Sequence, residues 1–246
     1  MRPIIIVSHG QPSDPAPAAA DLAQLAAKVA NHLPGWMVRS ATLAEPDALD
    51  QVVQTLGNGG ALYPLFMAGG WFTRINLPGR LAKVDARGWQ VLEPFGCDPA
   101  LHDLAALVVA EALAHQNPAT SQVLLAAHGS FKSPVPSDIA VHVAQIIQQK
   151  TKASRVEAAF IDQTPQLSAV TGFDETAVCL PFFAAAGGHV TDDIPAALAQ
   201  ADFKGKILPT LGLDRRVPAI IAAAIRKGTP VCADECRYRR LGSGVA

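Results

Sequence analysis

Charge of either sign is scarce in this 246-residue chain: 20 Lys and Arg stand against 21 Asp and Glu, a net charge of -1. No basic excess is available to hold nucleic acid. Cysteine is limited to Cys97, Cys179, Cys232 and Cys236, too few for a disulfide framework and in keeping with a reducing compartment. Cys179 lies in an apolar run and reads as core. Cys232 and Cys236 fall in the polar stretch "VCADECRYRRLGSGVA" as two ordinary thiols, with half a metal site as the alternative. No apolar run spans a bilayer, since even "GGALYPLFMAGGWF" is short and broken by Gly and Pro. One Arg followed by "PIIIV" is too little for a secretion signal. These absences point to a soluble cytoplasmic protein with neither membrane nor nucleic-acid partner. Half the residues are hydrophobic, enough to bury one large core or two modest ones.

Short β-branched runs ("PIIIVS", "WMVRSATL", "GALYPLFM", "WQVLEPF") alternate with Ala- and Leu-rich stretches of helical period ("AAADLAQLAAKVANHL", "DPALHDLAALVVAEALAHQ"). This is a βαβα pattern, which implies a mostly parallel sheet covered by helices. It then starts again. His9 maps to His128 at a shift of 119, Pro64 to Pro181 and Pro78 to Pro195 at 117, and Gly96 to Gly212 at 116. A steady shift across four landmarks means an internal duplication. The fold class expected is therefore α/β, with two tandem lobes, each a four-stranded mostly parallel sheet flanked by helices. The lobes are placed at 1–117 and 118–230, followed by a polar tail, 231–246, that offers little to pack. His32, His102, His115 and His142 fall in helical stretches and are expected on surfaces.

Both lobes end their first strand in His-Gly, "VSHG" at His9 and "AAHGS" at His128. Ligands of such sheets sit beyond the carboxyl ends of the strands, where both pairs would lie. The third strand of the second half leads into "PFFAAAGGHVTDDIP", which places His189 at the same edge as His128, with Asp192 and Asp193 opening the next helix. The first half matches it as "PLFMAGGWFTRINLP", with Phe72 opposite His189 and Ile75-Asn76 opposite Asp192-Asp193. The halves are chemically unequal. A lone His ending a strand is more often a hydrogen-bonded structural residue than a ligand, but a pair in a repeated frame favours function. Glu45 and Asp162 end the second strands at the same edge, yet both precede turns. Phe182 and Phe183 alternate along a strand, so one of them belongs to the core.

A strand ending in His-Gly-Ser, followed about sixty residues later by Pro-Phe-Phe, small residues, Gly-His-Val and Asp-Ile-Pro, resembles the class II tetrapyrrole chelatases. The resemblance is to the long, two-domain form of the sirohydrochlorin cobaltochelatase and ferrochelatase family. It implies insertion of a divalent metal into a tetrapyrrole, without ATP, in a cleft between two lobes. It implies that His128 and His189 are the catalytic, metal-binding pair, with Asp192 and Asp193 at the acidic metal-binding position. Co²⁺, Fe²⁺ and Ni²⁺ all accept imidazole, and here the metal is a substrate; no organic cofactor is expected. The polycarboxylate ring calls for cations, donors and apolar faces. The candidates are His9, Ser130, Lys132, Trp71, Phe72, Arg74 and Phe183, with Arg80, Arg215 and Arg216 beside them. One chain holds both lobes, so a monomer is expected. The alternative reading is a non-catalytic protein that binds or delivers a metal or a tetrapyrrole.

Overall fold

Unbroken aliphatic runs make the central strand of each half. Ile4, Ile5, Ile6 and Val7 are wholly buried, as are Val123, Leu124, Leu125 and Ala126, the mark of strands covered on both faces. The computed structural model describes residues 2–57 and 59–239. In chain order the first half runs β1 (Arg2–Ser8), α1 (Pro15–Ala30), β2 (Trp36–Thr42), α2 (Ala48–Leu56), β3 (Gly60–Pro64), α3 (Leu77–Lys83), β4 (Trp89–Val91) and α4 (Pro99–Ala112). The second runs β5 (Gln122–Ala127), α5 (Val135–Thr151), β6 (Arg155–Phe160), β7 (Val178–Pro181), α6 (Ile194–Gln200), β8 (Lys206–Ile207) and α7 (Val217–Lys227).

Two four-stranded sheets result, ordered β2-β1-β3-β4 and β6-β5-β7-β8, with every pair parallel. The expected α/β duplication is what the chain adopts. Helices α2 and α3 were not anticipated from the pattern. Each shows only two buried apolar positions, Leu49 and Val53 in one and Leu77 and Leu81 in the other, too few for a clear period.

Packing departs from sequence order in one respect. The described residues cluster into two units, one running up to Asp98 and including Arg215–Glu235, the other comprising Pro99–Asp214 and 236–239. The last helix of each repeat thus belongs to the other repeat's unit, unlike the division at 117 and 118 drawn from the sequence. Helix α4 buries Leu101, Leu104, Ala105 and Val109, and Asp103 on it takes an ion pair from Lys150 of α5 at 2.8 Å.

The stretch from Val231 is better packed than its polar composition suggests. Val231 joins the apolar cluster of the first unit and its N–H bonds the Val91 carbonyl at 3.0 Å. Cys236 is buried, and the Tyr238 ring lies 5.2 Å from His102 and 5.0 Å from His142. His102 is itself buried, not on the surface as expected, because α4 turns this residue toward α5 and Tyr238. Residues 240–246 of the expected tail lie outside the described residues. No helix among the described residues is long and apolar enough to cross a membrane.

The duplicated landmarks have duplicated causes. A Cβ on Gly96 would lie 2.0 Å from the Met67 carbonyl oxygen, and one on Gly212 would lie 2.1 Å from that of Ala184. Both glycines let a loop run against the exit of the third strand. Gly212→Ala should therefore cost about 3 kcal/mol through overpacking, seen as a lower urea midpoint at unchanged slope; an unchanged midpoint would contradict the close approach. Burial pushes the Cys179 thiol up to about 12, so it stays protonated at neutral pH. Native protein should leave Cys179 unalkylated by iodoacetamide while the half-buried Cys232 reacts, as peptide mapping would show.

Candidate active site

A sheet ordered β6-β5-β7-β8 reverses its winding between β5 and β7, and ligands of open α/β sheets bind in the crevice at such a point. The strands on either side of it end one residue before His128 and eight before His189. Gly129 takes φ +74°, and a Cβ there would meet the Gln163 side chain at 2.7 Å. The His-Gly pair is therefore a backbone requirement: glycine lets the chain turn sharply against the β6 exit, leaving the preceding imidazole at the sheet edge. The residue is repeated in the other half, where Gly10 also has φ +74° and a Cβ would meet Thr42 at 2.8 Å.

His189 is carried by a π-helical turn, His189–Asp193, in which the Ile194 N–H bonds the His189 carbonyl. Pro195 follows in the first turn of α6. It lacks the N–H that would close a bond four residues back, which allows the wider turn to precede it. The first half repeats this with Phe72–Asn76, Leu77 N–H to Phe72 carbonyl, and Pro78.

The two imidazoles meet. Their Nε2 atoms are 3.2 Å apart and their rings are perpendicular, with centroids 4.5 Å apart. Each Nδ1 faces oxygen. His189 Nδ1 lies 2.7 Å from Asp193 Oδ2; His128 Nδ1 lies 3.0 Å from the Gly129 carbonyl and 3.5 Å from Asp162 Oδ2. A carbonyl and a carboxylate can only accept, so each Nδ1 carries the hydrogen and donates it. Both Nε2 atoms then bring their lone pairs to one place, 3.2 Å apart on perpendicular rings, where a shared cation offsets their repulsion. A single ion held at about 2.1 Å from both nitrogens would subtend roughly 100° at that separation, an angle open to tetrahedral and octahedral ions alike.

The carboxylates stand behind the imidazoles and not beside them. It is Asp193 that bonds His189, four residues on; Asp192 is exposed. Among the described residues no three His, Cys, Asp or Glu side chains are placed to hold one ion, so of the candidates His128, His189, Asp192 and Asp193 only the two imidazoles are brought together, and neither aspartate joins them as a third ligand. Carboxylates in this outer position fix an imidazole's tautomer and orientation. Both histidine rings remain 41–49 % exposed, which leaves the site open to a large partner.

The other candidates divide. Ser130 and Lys132 lie on the loop after His128, where the Ser130 N–H donates to Gln163 Oε1 at 2.7 Å and Ser130 Oγ accepts from the Lys132 N–H at 3.1 Å. The Lys132 side chain is exposed. Phe183 is buried in the apolar cluster with Leu124, Cys179 and Ile194, its ring 6.5 Å from His189. It supports the imidazole from behind and does not offer a face to a ligand, contrary to expectation; Phe182 is buried as well. In the first unit, Phe72 stands edge-on to His9 with centroids 5.1 Å apart, where the second unit has its imidazole pair. Glu45 accepts from the Thr42 hydroxyl at 2.9 Å. Arg74 is engaged with the Asp234 carbonyl, and Arg80 pairs with Asp50 at 3.9 Å. Trp71 is 60 % exposed. Gln163, and Asp162 as the partner of His128, were not assigned from sequence.

The CbiX family profile matches residues 3–112 and again 122–227. Among solved structures, the chain is 44 % identical to CbiX, described as the terminal enzyme for biosynthesis of siroheme in denitrifying bacteria. The match covers 92 % of this chain and 99 % of that one, with a TM-score of 0.84. SirB from Bacillus subtilis with Fe³⁺ matches at 16 % identity and a TM-score of 0.71, over 93 % of this chain and 96 % of that one. The sirohydrochlorin chelatase SirB from Bacillus subtilis subspecies spizizenii, in complex with cobalt, matches at 17 % and 0.66 over the same shares. At such identities the two SirB structures speak for the fold. No curated protein sequence gives a significant match.

Proposed function

This chain belongs to the CbiX family, and from that premise we propose that it is a chelatase inserting a divalent metal into sirohydrochlorin, with His128 and His189 as the working pair. The observation that carries the site is the approach of the two Nε2 atoms to 3.2 Å, with each Nδ1 set against an oxygen. Fe²⁺ is the metal favoured, because the 44 % identical relative is described as the terminal enzyme of siroheme biosynthesis. Co²⁺ suits the same nitrogens.

The reaction exchanges one M²⁺ for two pyrrole protons. Two imidazoles without a third protein ligand bind the ion weakly, which suits a metal that must leave for the ring; a closed four-ligand cage would retain it. As the ion passes to the macrocycle, both Nε2 lone pairs come free beside the ring nitrogens. They are then placed to take the displaced protons. The charge so gained lies next to Asp193 and Asp162, at 2.7 and 3.5 Å from the respective Nδ1 atoms. One chain supplies both imidazoles, so a monomer suffices for this site. Lys132 and Ser130 on the adjoining loop suit the carboxylates of the substrate.

The test is an anaerobic absorbance assay with sirohydrochlorin in large excess over protein and Fe²⁺ or Co²⁺ supplied in turn. The proposal predicts many turnovers per chain above the spontaneous rate. Stoichiometric complex formation with no turnover would instead mark a binding or delivery protein.

A further inference from the structure

The duplication supplies an internal control, because positions kept in both lobes serve the backbone and positions that differ between them are candidates for chemistry. After the first strand the lobes read His9-Gly10-Gln11-Pro12-Ser13 and His128-Gly129-Ser130-Phe131-Lys132. The histidine and the φ +74° glycine are common to both. What changes is Gln11 to Ser130, Pro12 to Phe131 and Ser13 to Lys132, in the same lobe that has His189 in place of Phe72.

Phe131 is 80 % exposed, the largest exposure of any bulky apolar side chain among the described residues. An aromatic ring so placed gains nothing for the fold, since its apolar surface stays in water. Nor does it sit on a slack loop. The Ser130 N–H is held by Gln163 at 2.7 Å, the Lys132 N–H by Ser130 Oγ at 3.1 Å, and the Val135 N–H by Ser133 Oγ at 3.3 Å. Three residues of chain separate Phe131 from His128, a reach of at most about 11 Å, within the span of a macrocycle and its side chains centred on the imidazole pair. The neighbouring Lys132 is an exposed cation. An occupant that covers an aromatic face and meets a cation beside it is flat, apolar and edged with anions.

We propose that Phe131 is a substrate-contact residue that packs on the polycarboxylate tetrapyrrole and fixes its affinity, a role that rests on the chelatase reading above. Because the ring is exposed, Phe131→Ala should leave folding untouched. It should raise KM for sirohydrochlorin about tenfold, with kcat within a factor of about two and KM for the metal unchanged, since it removes a contact made equally in ground and transition states. Phe131→Trp should restore most of the affinity. A titration of metal-free sirohydrochlorin, followed by absorbance, should show the same weakening without any turnover. Equal KM and equal binding in wild type and Phe131→Ala would overturn the assignment while leaving the chelatase reading in place. Weakened binding by Phe131→Ala in a chain that never turns over would uphold the contact and remove the chelatase reading. A wild-type chain that binds no tetrapyrrole would overturn both.

Discussion

His128→Ala and His189→Ala should each lower the rate of metal insertion by about 10²- to 10⁴-fold while the protein keeps its circular dichroism spectrum. The fold is expected to survive because both rings are 41–49 % exposed at a sheet edge, so truncation opens no buried cavity. The loss is large because the pair acts as a unit. An ion held by one remaining imidazole has lost half its protein donors, and one of the two proton acceptors is gone. For the same reason the double variant should be little slower than either single one, as for any residues that act together. Initial rates at limiting metal are the measurement; a double variant whose loss is the product of the single losses would mean that the two histidines act separately.

The second large effect is expected from a residue that does not touch the ion. Asp193→Asn should reduce the rate or raise KM for the metal by about 10- to 100-fold, the usual consequence of disturbing a ligand's outer partner. The carboxylate accepts from His189 Nδ1 at 2.7 Å and thereby keeps the Nε2 lone pair aimed at His128. An amide in its place can present its NH₂ to Nδ1, which favours the other tautomer and puts a hydrogen where the metal should bind. Asp162→Asn should cost less, since it stands at 3.5 Å and the Gly129 carbonyl already holds His128 Nδ1 at 3.0 Å. Asp192→Asn should be nearly silent. Equal losses for all three carboxylates, in rates measured across a series of metal concentrations, would indicate a general effect of negative charge instead of a bond to one nitrogen.

The encounter of His128 with His189 was legible in the sequence because it depends on topology. A repeated βαβ pattern puts the ends of the first and third strands side by side at one edge, and both histidines follow such ends. Which aspartate serves His189 was not legible. Asp192 and Asp193 are three and four residues on, both acceptable neighbours on an ordinary helix, and only the π-helical turn, seen in the Ile194 to His189 hydrogen bond, settles the choice. Asp162 was legible at the right edge but not as the partner of His128, and Gln163 was not legible, because both lie on the β6 exit, remote in sequence from the histidines and joined to the site only by folding. Phe183 misled for a related reason: an aromatic beside a functional turn looks like a ligand platform, but the chain leaving β7 stays covered, and Phe182 and Phe183 are both buried. The exchange of α4 and α7 between the packing units has no local sequence signal. It is a matter of which apolar surface each helix finds, and periodicity is silent on that.

The central claim is that the histidine pair of the second repeat performs the insertion, and that His9, faced by Phe72 at 5.1 Å, does not. The most direct test compares His9→Ala with His128→Ala in the same anaerobic insertion assay, with initial rates at limiting metal. The account predicts His9→Ala within a few-fold of wild type and His128→Ala nearly inactive. Full activity in His128→Ala together with a dead His9→Ala would contradict it and place the chemistry in the first repeat.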